Sequence, residues 1–220
     1  MEGVARAVHA AGLVDLDAFR RQLYRKDLLD YFGLPGQTFE GFLFPDTYYF
    51  AKTDAAMKMI ETMVARFKEA IAPEDERNAK ELGFNLLQWV TLASMIEKES
   101  SIPDEHPLIS SVFHNRLKKK MRLQSDPTVI YGLPHFNGNL TKRNLETPTP
   151  YNTYTHAGLP PGPIANPSAS AIHAAVNPPK TDYLYFVADQ QGRHIFSKTY
   201  ADHLKAVAVF QLHRPPPKQN

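Results

Sequence analysis

The chain contains no cysteine, which excludes a disulfide framework, a thiolate zinc site and a cysteine nucleophile. The absence says little about compartment, because 220 residues can bury a core large enough to fold without staples. No stretch approaches the ~20 apolar residues that span a bilayer. The opening Met1-Glu2-Gly3-Val4-Ala5-Arg6 has no signal-peptide pattern, so the chain reads as soluble, whether full-length or part of a longer protein. The strings G-x-x-x-x-G-K-[ST], G-x-G-x-x-G and G-x-S-x-G are also missing, leaving nucleotide binding and α/β-hydrolase chemistry without support. There is no H-E-x-x-H, and His106 and His114 are too far apart for one helical turn. The nine histidines therefore form no readable metal site, and no metal or cofactor is expected.

Charge of one sign is scarce as well, with a formal net charge of +2. The basic runs are short: Arg20-Arg21, Lys118-Lys119-Lys120 with Arg122, and Lys142-Arg143. Such runs are usually solvated helix faces, so nucleic acid is not expected as a partner. A basic groove would equally suit another anionic polymer.

What is present is a helical pattern with a late strand pair. Val4, Val8 and Leu13 suggest a first helix broken at Gly12; a second starts at Asp15 or Asp17 and carries Phe19, Leu23, Leu28, Leu29 and Phe32. Gly33-Leu34-Pro35-Gly36 closes this part, and the aromatic run over 39–50 reads as an extended lead-in to the main domain. Helices are expected from Asp54, over 74–82 with a stop at Gly83, and from an N-cap at Asn85. The last of these is apolar on nearly every face and should be central and buried. A further helix spans about 104–120. Residues 121–167 read as turns and short extended pieces. Eight of the eighteen prolines lie between Pro148 and Pro179, which forbids long helices but fits an ordered, functional loop. A helix at 168–176, strands at 183–188 and 195–196, and a helix at 200–210 complete an α+β pattern.

Three clusters can carry chemistry. Leu86, Val90, Ala93 and Glu97 fall on one helical line, ending an apolar stripe with a carboxylic acid. An acid against an apolar wall has a raised pKa, as a proton donor near neutral pH requires. A plain helix-end glutamate beside Lys98 would leave the same pattern. Glu99, on another face, reads more like a surface or structural acid. The second cluster, Gln124-Ser125-Asp126, stands between apolar residues and suits a glycan groove, although Asp126-Pro127 is also an ordinary turn opener. The third, Glu146 to Pro167, sets Asn152 between Tyr151 and Tyr154 on a proline-stiffened loop that could grip an N-acetyl sugar or merely plug the core.

Together these strings resemble the MltG/YceG-like family of endolytic murein transglycosylases. The resemblance rests on Glu40-Gly41-Phe42-Leu43-Phe44-Pro45-Asp46-Thr47-Tyr48, Ala93-Ser94-Met95-Ile96-Glu97-Lys98-Glu99 and Val112-Phe113-His114-Asn115-Arg116-Leu117. It continues in order through Met121 to Gly132, the Glu146 to Pro167 loop and Tyr183 to Ala188. It implies a mixed helical catalytic domain with a small sheet at 39–213, preceded at 1–38 by the remnant of a LysM-like subdomain and followed by a flexible tail at 214–220. It also implies a missing N-terminal membrane anchor, a periplasmic location at the inner membrane, peptidoglycan glycan strands as substrate and cell-wall synthases as partners. Cleavage of the bond between N-acetylmuramic acid and N-acetylglucosamine would leave 1,6-anhydromuramyl ends, terminating strand growth. Within the resemblance the catalytic acid is Glu97. Gln124, Asn152 and Tyr154 would orient the sugar, with Ser125, Asp126 and Glu146 completing the cleft. A hydrolytic muramidase, needing a second acid, and a non-catalytic glycan-binding module are the competing readings.

Overall fold

The computed structural model describes residues 1–211; the expected tail at 214–220 lies outside them. In chain order the elements are α1 (Glu2–Ala10), α2 (Leu16–Leu23), α3 (Lys26–Phe32), α4 (Ala56–Ala70), α5 (Pro73–Glu81) and α6 (Leu86–Glu99). A 3₁₀ turn (Pro103–Glu105) leads into α7 (His106–Lys118), α8 (Asp126–Gly132), α9 (Lys142–Glu146) and α10 (Ala169–Val176). Strands β1 (Tyr185–Ala188) and β2 (His194–Ser197) and helix α11 (Tyr200–Phe210) follow. The fold is α+β. Two compact units divide the described residues, one formed by 1–95 with 161–176, the other by 96–160 with 177–211. Residues 1–38 and 39–95 thus fall within one unit.

In the first unit the helix boundaries follow from local chemistry. Asp15 caps α2 by accepting a hydrogen bond from the Ala18 N–H at 2.9 Å. The single helix expected after Asp15 is two, because the Leu23 carbonyl accepts from the Phe39 N–H at 3.2 Å instead of continuing the helical ladder. Gly83, with φ +76°, stops α5, and Phe84 N–H reaches back to the Ala79 carbonyl at 2.9 Å. Asn85 and Gln88 then exchange side-chain and backbone hydrogen bonds at 3.0 and 2.9 Å, starting α6 as expected.

The expected extended lead-in at 39–50 contains no strand. It turns instead, with Phe42 N–H on the Phe39 carbonyl and Gly41 at φ +91°. A Cβ on Gly41 would sit 2.6 Å from Pro163 and 2.8 Å from Val90, so no side chain fits. The Asn166 side-chain oxygen accepts from Gly41 and Leu43 N–H groups at 2.8 and 3.3 Å. The core here is Phe19, Phe39, Phe42, Met59, Ile60, Phe67 and Leu92, all fully buried. Each such side chain contributes roughly 1.5–3 kcal/mol. Phe42 and Phe67 meet edge to face at 5.3 Å, and Trp89 donates its indole N–H to the Ile172 carbonyl at 2.8 Å. The end of the proline-rich loop is therefore structural in this unit.

The second unit is organised around α7. Asn115 donates to the Thr181 and Tyr183 carbonyls, both at 2.9 Å, and so fixes the chain leading into β1. Strands β1 and β2 pair antiparallel with Phe186 opposite Phe196, and Phe113 meets Phe186 edge to face at 6.1 Å. Residues 121–167, expected as turns, include α8 and α9. Pro127 opens α8 rather than a turn: in the first helical turn its missing N–H has no partner to lose. A capping box between Thr141 and Asn144 starts α9.

Candidate active site

Helix α6 ends at two half-buried acids on different faces. Consecutive helical residues are turned by about 100°, so Glu97 and Glu99 point roughly 200° apart. Glu97 is half-buried and follows the stripe of buried Val90 and Ala93. Glu99 follows an equally apolar line, Trp89, Leu92 and Ile96, in steps of three, four and three. Its carboxylate accepts a hydrogen bond from the Ser125 hydroxyl. Of the surface and structural roles expected for Glu99, this half-buried, hydrogen-bonded carboxylate does not fit the surface one.

Ser125 is held rigidly. Its N–H donates to the Thr153 hydroxyl at 2.9 Å, and its carbonyl accepts from the Thr128 hydroxyl at 2.6 Å. The two threonine hydroxyls lie 2.8 Å apart, and all three residues are buried. Gln124 N–H donates to the Thr153 carbonyl at 3.2 Å, and Gln124 itself adopts φ +50°, a conformation that L residues rarely take. Such local strain is found at functional sites. Arg116, buried at 7% exposure, donates from Nη1 to the Leu123 carbonyl and from Nε to the Leu184 carbonyl, both at 2.7 Å. Its guanidinium lies over the Tyr185 ring.

Burial pushes the Glu99 carboxyl up to about 7. The Ser125 hydrogen bond opposes this rise, the nearby Asp126 charge adds to it, and Arg116 opposes it more weakly. Tyr154 donates its hydroxyl to Asp126 Oδ1 at 2.5 Å, and burial with that pairing raises the phenol. A carboxyl poised near 7 can hold a proton and release it at neutral pH. That is the site's main chemical capacity.

This carboxyl, with its serine donor and a tyrosine–aspartate pair beside it, lies in a chain whose residues 1–209 match the profile of the YceG-like family. The chain belongs to the YceG-like family. It is 41% identical over 167 residues to the endolytic murein transglycosylase of Bacillus subtilis (strain 168), covering 76% of this chain and 46% of that relative. The endolytic murein transglycosylase of Streptococcus pneumoniae serotype 2 (strain D39) is 35% identical over 175 residues, or 77% of this chain and 32% of the relative. The chain thus spans about half, or a third, of the length of these relatives. The crystal structure of a yceG-like protein from Listeria monocytogenes superimposes with a TM-score of 0.84 at 33% identity, covering 93% of this chain and 72% of the other.

The YceG-like site gathers some of the residues singled out in the sequence and disperses others. Ser125, Asp126 and Tyr154 stand with Glu99, and Gln124 is exposed beside them. Asn152 does not face outward as a sugar ligand. It is 0% exposed, and its amide donates to the Asn144, Leu145 and Thr147 carbonyls at 3.3, 3.0 and 2.7 Å. Its side-chain oxygen accepts from Tyr154 N–H at 2.8 Å, so Asn152 shapes the loop that presents Tyr154. Glu146 is exposed on α9 and pairs with Lys142 at 3.7 Å. Sequence reasoning met Thr128, Thr153 and Arg116 only inside longer strings and gave them no role. The small buried hydroxyls carry no pattern of their own, whereas an arginine amid the apolar residues of α7 was a visible signal.

Proposed function

We propose that this chain carries the catalytic part of an endolytic murein transglycosylase, with Glu99 as acid and then base. The observation that carries this reading is the Glu99 carboxylate bound by the Ser125 hydroxyl next to the Tyr154–Asp126 pair, with burial pushing its carboxyl up to about 7. The names of the Bacillus and Streptococcus relatives supply the substrate. Glu99 gives its proton to the oxygen between N-acetylmuramic acid and N-acetylglucosamine, and the anomeric C–O bond breaks. The N-acetylglucosamine end leaves as a free 4-hydroxyl. The muramyl 6-hydroxyl then attacks its own anomeric carbon and returns its proton to Glu99. A 1,6-anhydromuramyl end forms, and no water is consumed.

One carboxyl suffices because the nucleophile belongs to the substrate, in contrast to the two-carboxylate glycosidases. The same acid must lose a proton and regain it, which a value near 7 favours. The Ser125 hydrogen bond and the raised carboxyl favour Glu99 in this reading, and Glu97, the acid that the motif suggested, is half-buried like Glu99 and stands as the alternative. Gln124, Asp126 and Tyr154 line the sugar site in this reading, and Glu146, exposed on α9 and paired with Lys142, stays outside it. Residues 1–38 stand as the end of a LysM-like subdomain. No helix among the described residues is long and apolar enough to cross a membrane. A murein substrate would put the enzyme on the cell-wall side of the cytoplasmic membrane, the periplasmic face in bacteria with an outer membrane. Membrane anchoring and contacts with cell-wall synthases belong to the same proposal.

The test is mass spectrometry of purified murein strands after incubation with wild type, Glu99→Gln and Glu97→Gln. Anhydromuramyl ends from wild type and Glu97→Gln alone are expected. Reducing ends would make the protein a hydrolase, with Asp126 the first candidate for the second acid. Product from Glu99→Gln at the wild-type rate would move the acid elsewhere.

A further inference from the structure

The basic run beyond α7 finds no use in the chemistry described so far. Lys118, Lys119, Lys120 and Arg122 place four cations within five residues, all exposed. Among the described residues none of the four has a carboxylate partner, whereas Lys26 pairs with Asp30, Arg66 with Asp46 and Lys198 with Asp182. Among the described residues the other cations without a carboxylate partner are more scattered, such as Arg77 and Lys80 one turn apart on α5, or Arg193 alone. Attraction to the α7 C-terminus accounts for Lys118 but not for Arg122, which lies beyond the helix.

Two features set the run beside the site. Arg122 donates to the Tyr154 carbonyl at 2.8 Å, and the Tyr154 hydroxyl is the one bound to Asp126. Lys120 closes α7 with φ +56°, its N–H on the Leu117 carbonyl at 3.0 Å and the Met121 N–H on Arg116 at 2.9 Å. Glycine ordinarily fills that left-handed position. A lysine there keeps positive charge at some conformational cost. The run is therefore a charged surface continuous with the sugar site and lacking counter-charges of its own.

We propose that Lys118, Lys119 and Lys120, with Arg122, bind the carboxylates of the stem peptides that branch from a murein strand. The inference rests on the transglycosylase reading and adds a specificity to it: strands with free peptide carboxylates are preferred substrates. The glycan is gripped near Glu99, and the peptides projecting from it meet the cations. Exposed charges act through a screened field, so the preference weakens as salt rises.

The experiment compares native strands, stripped of phosphate polymers, with the same strands after their peptide carboxyls are converted to neutral amides. Wild type is expected to show a KM roughly five- to tenfold lower for native strands, as several weak surface pairs would give. In Lys118→Gln/Lys119→Gln/Lys120→Gln the ratio of the two KM values falls toward one. In the corresponding triple glutamate variant it inverts. Circular dichroism verifies that both variants fold. Binding of the two strand types to Glu99→Gln, measured without turnover, separates this inference from the reading beneath it. Charge-dependent binding with no anhydromuramyl product from wild type would sink the transglycosylase reading and keep the peptide site. Product from wild type with equal KM values for both strands would overturn the peptide site alone.

Discussion

Two glutamates six residues apart, Glu99 and Glu105, stand on either side of Ser100 and behave in opposite ways. Glu105 is 5% exposed, and burial alone would raise its carboxyl as it does at Glu99. Donors reverse the outcome. His194 N–H donates to one oxygen at 2.8 Å, while His194 Nδ1 at 2.7 Å and the Ser100 hydroxyl at 2.9 Å meet the other. Glu105 is thereby held below its usual value. Glu99 has the Ser125 hydroxyl and a nearby Asp126 charge, and rises to about 7. Burial sets the size of the problem for a carboxylate, and the number of donors decides its sign. Glu105 is ionised to hold β2 near the start of α7. Glu99 is left short of donors, so it can exchange a proton.

The largest test of this contrast is Glu99→Gln, which should lower turnover by roughly 10²- to 10⁴-fold, the usual contribution of a general acid. It should also change stability in a pH-dependent way. Glu99 moves from 4.5 in the unfolded chain to about 7 in the fold. Its contribution is therefore fully present below 4.5 and lost as pH rises through 7. Removing the charge should make the variant more stable than wild type at pH ~8, by about 1–3 kcal/mol, and leave the two alike at pH ~4. Urea unfolding at the two pH values measures both. Equal stability curves at alkaline pH would mean that Glu99 ionises freely.

Glu105→Gln should do the reverse. Its carboxylate is depressed, so its contribution is present above 4.5 and fades as pH falls through the folded value. At neutral pH the variant should lose about 2–4 kcal/mol, because a buried carboxylate with several donors is replaced by a poorer acceptor. The loss should shrink at acid pH, and turnover per folded molecule should stay within a few-fold. Thermal melts across the pH range, paired with product assays below the melting temperature, separate these effects. A variant as inactive as Glu99→Gln while still folded would place Glu105 in the chemistry.

Ser125→Ala offers a finer adjustment. The Ser125 hydroxyl opposes the rise of Glu99, so its loss should push the carboxyl higher and move the alkaline limb of kcat/KM upward. The rate at neutral pH should fall about tenfold, in line with one hydrogen bond of about 1.4 kcal/mol. A uniform loss with an unmoved pH profile would assign Ser125 to loop geometry alone.

The fold was more legible than the site, and for a physical reason. Asp15, Gly83 and Asn85 are local signals whose partners lie within a few residues, so capping rules place the start of α2, the end of α5 and the start of α6 correctly. The break after Leu23 was hidden because its cause, the Phe39 N–H, is sixteen residues away. Helix α8 was hidden because Asp-Pro opens a turn or a helix with equal ease. The choice between Glu97 and Glu99 is of the same kind. Both continue apolar lines on α6, and periodicity cannot tell which one the 124–128 segment approaches. Asn152 is a related case: an amide between two tyrosines has the composition of a sugar grip, while in the fold its amide group donates to three backbone carbonyls.

Glu97→Gln is the smallest expected effect and the one that most sharpens the contrast between the two ends of the EKE motif. The residue is half-buried like Glu99, and it shares the helix but not the face that meets Ser125. If a buried environment at the end of an apolar stripe were enough to make an acid catalytic, this substitution would be as damaging as Glu99→Gln. On the present reading it changes turnover by less than about threefold and leaves the alkaline limb of the rate profile in place. A rate assay across pH with the two variants side by side decides the matter. Loss of turnover in both, with both folded, would mean that the acids act as a coupled pair sharing one proton, and the comparison would have to be redrawn around the pair.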